Sequence, residues 1–169
     1  MSKLLRLTGV IEDNWTVLRL AEGDTPETIP LPVGEIIFPL SVWQTRKNEI
    51  IAGHQRIGLW LDSHESIENI LSDLPYFLVI ALNFPKFTDG RAYSTAVLLR
   101  TRINYEGELR AIGDVLLDQL TFMRRVGFDS FAVREDKNID TALPYLKTIP
   151  EIYQASTDQP QPLFRRRAA

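Results

Sequence analysis

Residues 83 to 95 read NFPKFTDGRAYST, and within them Lys86, Asp89, Gly90 and Arg91 fall inside six positions. Two cations beside the free backbone N–H groups of a helix start make an anion site, and a glycine between them lets the backbone approach a ligand closely. The same residues also suit an ordinary helix start: Asp89 or Thr88 caps it, Gly90 eases the turn, and Lys86 and Arg91 point into water. Asp114 precedes an apolar periodic stretch and reads first as an N-cap. Gln119 lies on the flank of that stretch beside Phe122, placed to reach a partner. Asp62, Asp89 and Asp114 are oxygen ligands of the type that divalent cations take. Their spacing does not require a cation, and no metal site is assigned.

Composition narrows the chemistry. The 169 residues contain no cysteine, which excludes a disulfide framework, a reactive thiol and cysteine-held clusters. His54 and His64 are the only histidines, so one chain cannot supply a three-histidine metal site. No two glycines are separated by one residue, so the Gly-x-Gly-x-x-Gly dinucleotide fingerprint is missing. The phosphate-loop lysine motif and the Gly-x-Ser-x-Gly elbow are missing as well. No reaction and no cofactor can be named from motifs, and redox chemistry would need a bound organic cofactor or a partner protein. A net charge of −3 argues against nucleic acid. The opening MSKLLRLTGV is too short and polar for a signal peptide, and no apolar run reaches membrane length, so a cytoplasmic protein with no membrane contact is expected.

The candidate residues must be positioned by regular elements. KLLRLTGV and WTVLRL read as two short strands around the turn-prone Glu12-Asp13-Asn14, followed by a proline-rich loop. From residue 36, short apolar runs alternate with helical periods. EIIFPL, RIGLWL, YFLVIAL, ELRAIG and SFAV are strand-like, with EIYQAS as a further candidate. Ser41 to Gln44 and Asp62 to Glu65 have capping-box spacing, and Ala92, Ala96, Leu99 and Ile103 form a helical stripe. Gly127 followed by Phe128 matches a glycine-terminated helix end. Repeated strand–helix alternation predicts an α/β fold with a mainly parallel sheet, an open sheet or a partial barrel, preceded by a short N-terminal β-hairpin. The expected organisation is a hairpin and proline-rich loop over 1–35, an α/β core over 36–157 and a C-terminal arm over 158–169. That arm ends in Arg165 to Arg167, a run that suits either a solvated tail or an acidic partner.

FPKFTDGRAYSTAVLLR (84–100) and LRAIGDVLLDQLTFMRRVGFDSF (109–131) resemble two blocks of a bacterial family of unknown function. Its members carry the description "oxidoreductase probably involved in sulfite reduction". RIGLWL, IYQAS and PLFRRR are similar to that family too, so the resemblance extends over about two-thirds of the chain. It implies an accessory protein or oxidoreductase component of assimilatory sulfite reduction, docking on sulfite reductase or its electron donor. Family blocks fall on Lys86, Asp89, Gly90, Arg91, Asp114 and Gln119, and no catalytic residue is carried over. Two other readings stand beside it. One is an enzyme binding a small anion or a nucleotide cofactor at the Lys86–Arg91 loop. The other is a non-catalytic module that forms homo-oligomers through an exposed sheet edge.

Overall fold

The apolar runs in the middle of the chain alternate between two buried faces, as parallel strands covered on both sides do. The computed structural model, which describes residues 2–147 and 152–166, gathers them into one eight-stranded sheet. In chain order the strands are β1 (Ser2–Arg6), β2 (Gly9–Asp13), β3 (Trp15–Val17), β4 (Glu35–Pro39), β5 (Ile57–Leu61), β6 (Phe77–Phe84), β7 (Glu108–Gly113) and β8 (Ser130–Phe131). Across the sheet the order is β2-β1-β8-β7-β6-β5-β4-β3. Strands β3 to β8 are parallel, and β1 is antiparallel to both its neighbours.

The two edge strands are separated in the chain by Asn14 alone. In a flat sheet they would lie about 34 Å apart, seven spacings of ~4.8 Å. One residue reaches only about 3.5 Å. The sheet must therefore curl, and it forms a partial barrel whose seam is spanned by a single bent segment. Residues 9–13 of that segment pair with β1, and residues 15–17 pair with β4.

The outside carries α1 (Leu40–Gly53), the 3₁₀ helix Ile67–Tyr76, α2 (Arg91–Thr101) and α3 (Leu120–Arg125), with shorter 3₁₀ turns at Leu117–Gln119, Ile139–Thr141 and Leu143–Lys147. The short α4 (Leu163–Arg166) follows near the end of the described residues. Phe38, Leu59, Ile80, Leu82 and Leu109 face outward into a core shared with Trp43, Ala96, Leu99 and Met123. The alternate positions face inward, where Trp15, Ile37, Val79, Ala81 and Ile112 form a second, smaller cluster. Gly58 belongs to this inner layer. A Cβ there would stand 2.8 Å from Ile37 Cγ1 and 3.2 Å from Trp15 Cζ3, so the glycine leaves the space that the indole fills. Gly58→Ala is expected to cost about 1–3 kcal/mol through overpacking, read as a lower urea midpoint with altered tryptophan emission. An unchanged midpoint would mean that the inner layer has slack.

Several local expectations need correction. The N-terminal hairpin forms, but its turn is Leu7-Thr8, and WTV runs parallel to β4 at the opposite edge. The Asp13–Asn14 signal produces a bend within one segment, where Asp13 Oδ1 accepts the Trp15 N–H at 3.2 Å. Helix α1 starts directly behind Pro39 with no side-chain cap, so Ser41 and Gln44 form no capping box. Glu65 does accept the Asp62 N–H at 2.7 Å, but Ser66 caps the helix that follows. No strand forms over residues 152–156. Ser156 and Thr157 instead donate their hydroxyls to the Arg125 carbonyl at the end of α3; Glu151 lies outside the described residues. The arginine-rich end folds back as α4, with Arg166 donating to the Ile152 carbonyl at 3.0 Å, while Arg167 lies outside the described residues. Among the described residues no helix is long and apolar enough to cross a membrane.

Candidate functional site

Residues 85–90 join β6 to α2 at the carboxyl edge of the parallel strands, where loops and helix starts converge in folds of this class. Within the loop, Asp89 N–H donates to the Lys86 carbonyl at 2.9 Å, closing a turn. Asp89 Oδ1 accepts the Arg91 N–H at 3.2 Å and its Nε at 3.0 Å, and Oδ2 accepts Nη2 at 2.6 Å. Nη2 also donates to Ser63 Oγ at 2.8 Å. The Arg91 guanidinium and then the Ser63 hydroxyl hold the Asp89 carboxyl well below the usual carboxylate range. Arg91 is thus committed to neighbours inside the chain. Gly90 precedes the helix at negative φ, and a Cβ there would meet only the Tyr93 ring at an ordinary 3.6 Å. Lys86 is exposed, and among the described residues its ammonium has no partner.

Asp114 is not the helix cap that its position predicts. Leu116 precedes the 3₁₀ turn Leu117–Gln119, and neither that turn nor α3 has a side-chain cap. Gly113 adopts φ +91° and turns the chain, and the Asp114 N–H donates to the Phe84 carbonyl at 2.7 Å. The Asp114 carboxylate then faces the loop. Oδ2 accepts the Phe87 N–H at 2.8 Å and Oδ1 accepts Arg134 Nη1 at 2.7 Å. The Phe87 N–H first, and Arg134 second, hold this carboxyl below its ordinary range. Gln119 Nε2 donates to the Phe87 carbonyl at 2.9 Å. Asp114 and Gln119 therefore clamp both backbone polar groups of Phe87, a residue that is 52% exposed.

An apolar groove of about 510 Å³ lies between α2 and α3, lined by Tyr93, Val97, Leu98, Arg102, Phe122 and Val126. Phe122 is 50% exposed and packs edge-on against Tyr93 at 4.9 Å. Gln119 lies one helical turn before Phe122, so both exposed rings, Phe87 and Phe122, belong to the same end of α3. Asp62, Asp89 and Asp114 do not converge. Asp62 accepts from Asn83 Nδ2 at 3.0 Å, and the other two serve the contacts above. Among the described residues no group of three or more His, Asp or Glu side chains is placed to hold a metal ion.

Phe87, Tyr93 and Arg102 are not among the candidates read from the sequence. One signal for them was present: α2 carries Tyr93, Val97 and Leu98 in addition to its buried stripe of Ala92, Ala96 and Leu99. A helix with apolar residues on more than one face is covered by more than its own core. No curated protein and no solved structure matches the chain. With residues 58–164 matched, a span that contains the loop, its clamp and both groove helices, this chain belongs to the family described as bacterial protein of unknown function (DUF934).

Proposed function

We propose that this protein is a docking component of assimilatory sulfite reduction, binding sulfite reductase or its electron donor through the α2–α3 groove. The observation that supports the docking reading is the half-exposed Phe122 on the wall of an apolar groove, with half-exposed Phe87 on a loop clamped from two sides, one clamp being Gln119, three residues before Phe122. Interfaces draw their binding energy from such rigid aromatic anchors. Lys86 and Arg102 are exposed without carboxylate partners among the described residues, which suits a partner carrying apolar side chains with acidic neighbours. The sulfite-reduction setting rests on the sequence resemblance.

The test is affinity purification of the tagged full chain at low salt from its bacterial host grown on sulfate, read by mass spectrometry. Wild type is expected to retain the reductase or its donor. Phe122→Ser with Lys86→Glu is expected to lose it by tenfold or more, about the 1–3 kcal/mol of one buried aromatic anchor, while melting like wild type. Retention by the variant, or absence of both proteins from the wild-type sample, would overturn the reading.

A further inference from the structure

The partial barrel is open at the carboxyl ends of its parallel strands, on the inner side of the sheet rather than at the helix groove. The cavity there measures about 700 Å³, within the range that holds small organic ligands. Its walls include the top of the inner apolar layer, Trp15, Val17, Ile112 and Ala132. Four cationic side chains line it, Lys3, Arg19, Arg134 and Lys137, against two carboxylates, Asp13 and Glu135. Asp13 is already taken: both of its oxygens accept from the buried Arg110, at 3.1 and 2.9 Å.

Three of these cations are braced by carboxylates that do not line the cavity. Lys3 is held by Asp140 at 2.8 Å, Arg134 by Asp114 at 2.7 Å and Asp136 at 2.5 Å, and Lys137 by Asp136 at 3.1 Å. Arg19 differs. It has no carboxylate partner among the described residues, and its guanidinium lies over the Trp60 ring at 5.1 Å. It also lines an adjoining cavity of about 300 Å³ with Ser41, Asp62 and His64. A planar guanidinium stacked on an indole keeps its N–H edge for an oxyanion.

We propose that this mouth binds an organic anion, with its charged head on Arg19 and a flat apolar body against Trp15, Ile112 and Ala132. The head is a phosphate or carboxylate, since a guanidinium edge receives both alike. The site shares neither Arg19 nor Trp15 with the docking groove, so it stands or falls independently of that reading.

The test uses the full-length protein with two probes, adenosine 5′-monophosphate for the phosphate head and 4-hydroxybenzoate for the carboxylate. Adenosine and inorganic phosphate serve as half-ligands. At least one probe is expected to raise the melting temperature saturably at low millimolar concentration and to change tryptophan emission. Arg19→Glu should weaken that binding about tenfold or more while leaving the unliganded melt unchanged. Arg19→Lys should recover part of it. No saturable response to either probe overturns the proposal. So does equal binding by Arg19→Glu, or a response to inorganic phosphate alone that matches the organic probe.

Discussion

Replacing Arg110 with alanine is expected to cost about 3–5 kcal/mol, the usual loss when one partner of a buried ion pair is removed. For a chain of this length that is a drop of roughly 6–20 °C in melting temperature. Arg110 projects from β7 into the barrel and is only 1% exposed. Its guanidinium donates to Asp13 at the bend between β2 and β3, and to Glu108 Oε1 at 3.0 and 2.8 Å. Glu108 also accepts from Ser130 at 2.6 Å and pairs with Arg6 of β1. One side chain thus ties β7 to the segment that spans the seam, and its loss strands the Asp13 carboxylate in the interior. The exposed pair Lys3–Asp140 is the control, since Lys3→Ala should cost under about 1 kcal/mol. Removing the charges together, as Arg110→Met with Asp13→Asn and Glu108→Gln, should restore part of the stability, because the stranded charge accounts for most of the loss. A near-native melt for Arg110→Ala would show that the seam is held by strand pairing alone.

That network bears on which parts of the fold a linear reading recovers. Strands with local cause are legible: ELRAIG is β7 to the residue, and YFLVIAL falls inside β6 apart from Tyr76. The parallel sheet and the N-terminal hairpin are both present. The partner of WTV is not legible, because strand pairing is decided by contacts far apart in sequence. Asp13-Asn14 has the chemistry of a turn in either case. What makes it a bend is Arg110, 97 residues away, holding Asp13 inside the barrel.

The site divides along the same line. Lys86, Asp89 and Arg91 are visible as a charge cluster, and the Asp89–Arg91 contact lies within reach of any helix-start argument. Asp114 and Gln119 are visible as polar residues near a helix, but their role is not. Each acts on Phe87, 27 and 32 positions earlier. An N-cap is the default for an aspartate before a helical stripe. It fails here because Gly113 turns the chain at φ +91° and aims the carboxylate away from the helix.

Gly113→Ala should therefore damage the fold and the clamp together. A Cβ at this position would overlap the Phe84 carbonyl oxygen and stand 2.6 Å from Asn83 Oδ1, in a backbone conformation that an L side chain rarely adopts. Holding alanine at positive φ costs about 1–3 kcal/mol, and overpacking against backbone adds about 1–3 kcal/mol more. A total loss of roughly 2–6 kcal/mol is expected, read from urea melts. Shifting β7 away from Phe84 relieves the strain, but it breaks the 2.7 Å bond from Asp114 N–H to the Phe84 carbonyl of β6 and moves the carboxylate that holds both Phe87 and Arg134. The folded fraction of Gly113→Ala should then show faster amide exchange at Phe87 than wild type. Asp114→Ala tests the same chain of contacts without strain, because it removes the oxygens that accept from Phe87 and Arg134. It should leave the melt within about 1 kcal/mol, since Asp114 is partly exposed and its ion pair is screened by solvent, yet still loosen Phe87. If amide exchange at Phe87 stays slow in both variants, Gln119 alone holds the loop, and the presentation of the exposed ring does not depend on Asp114.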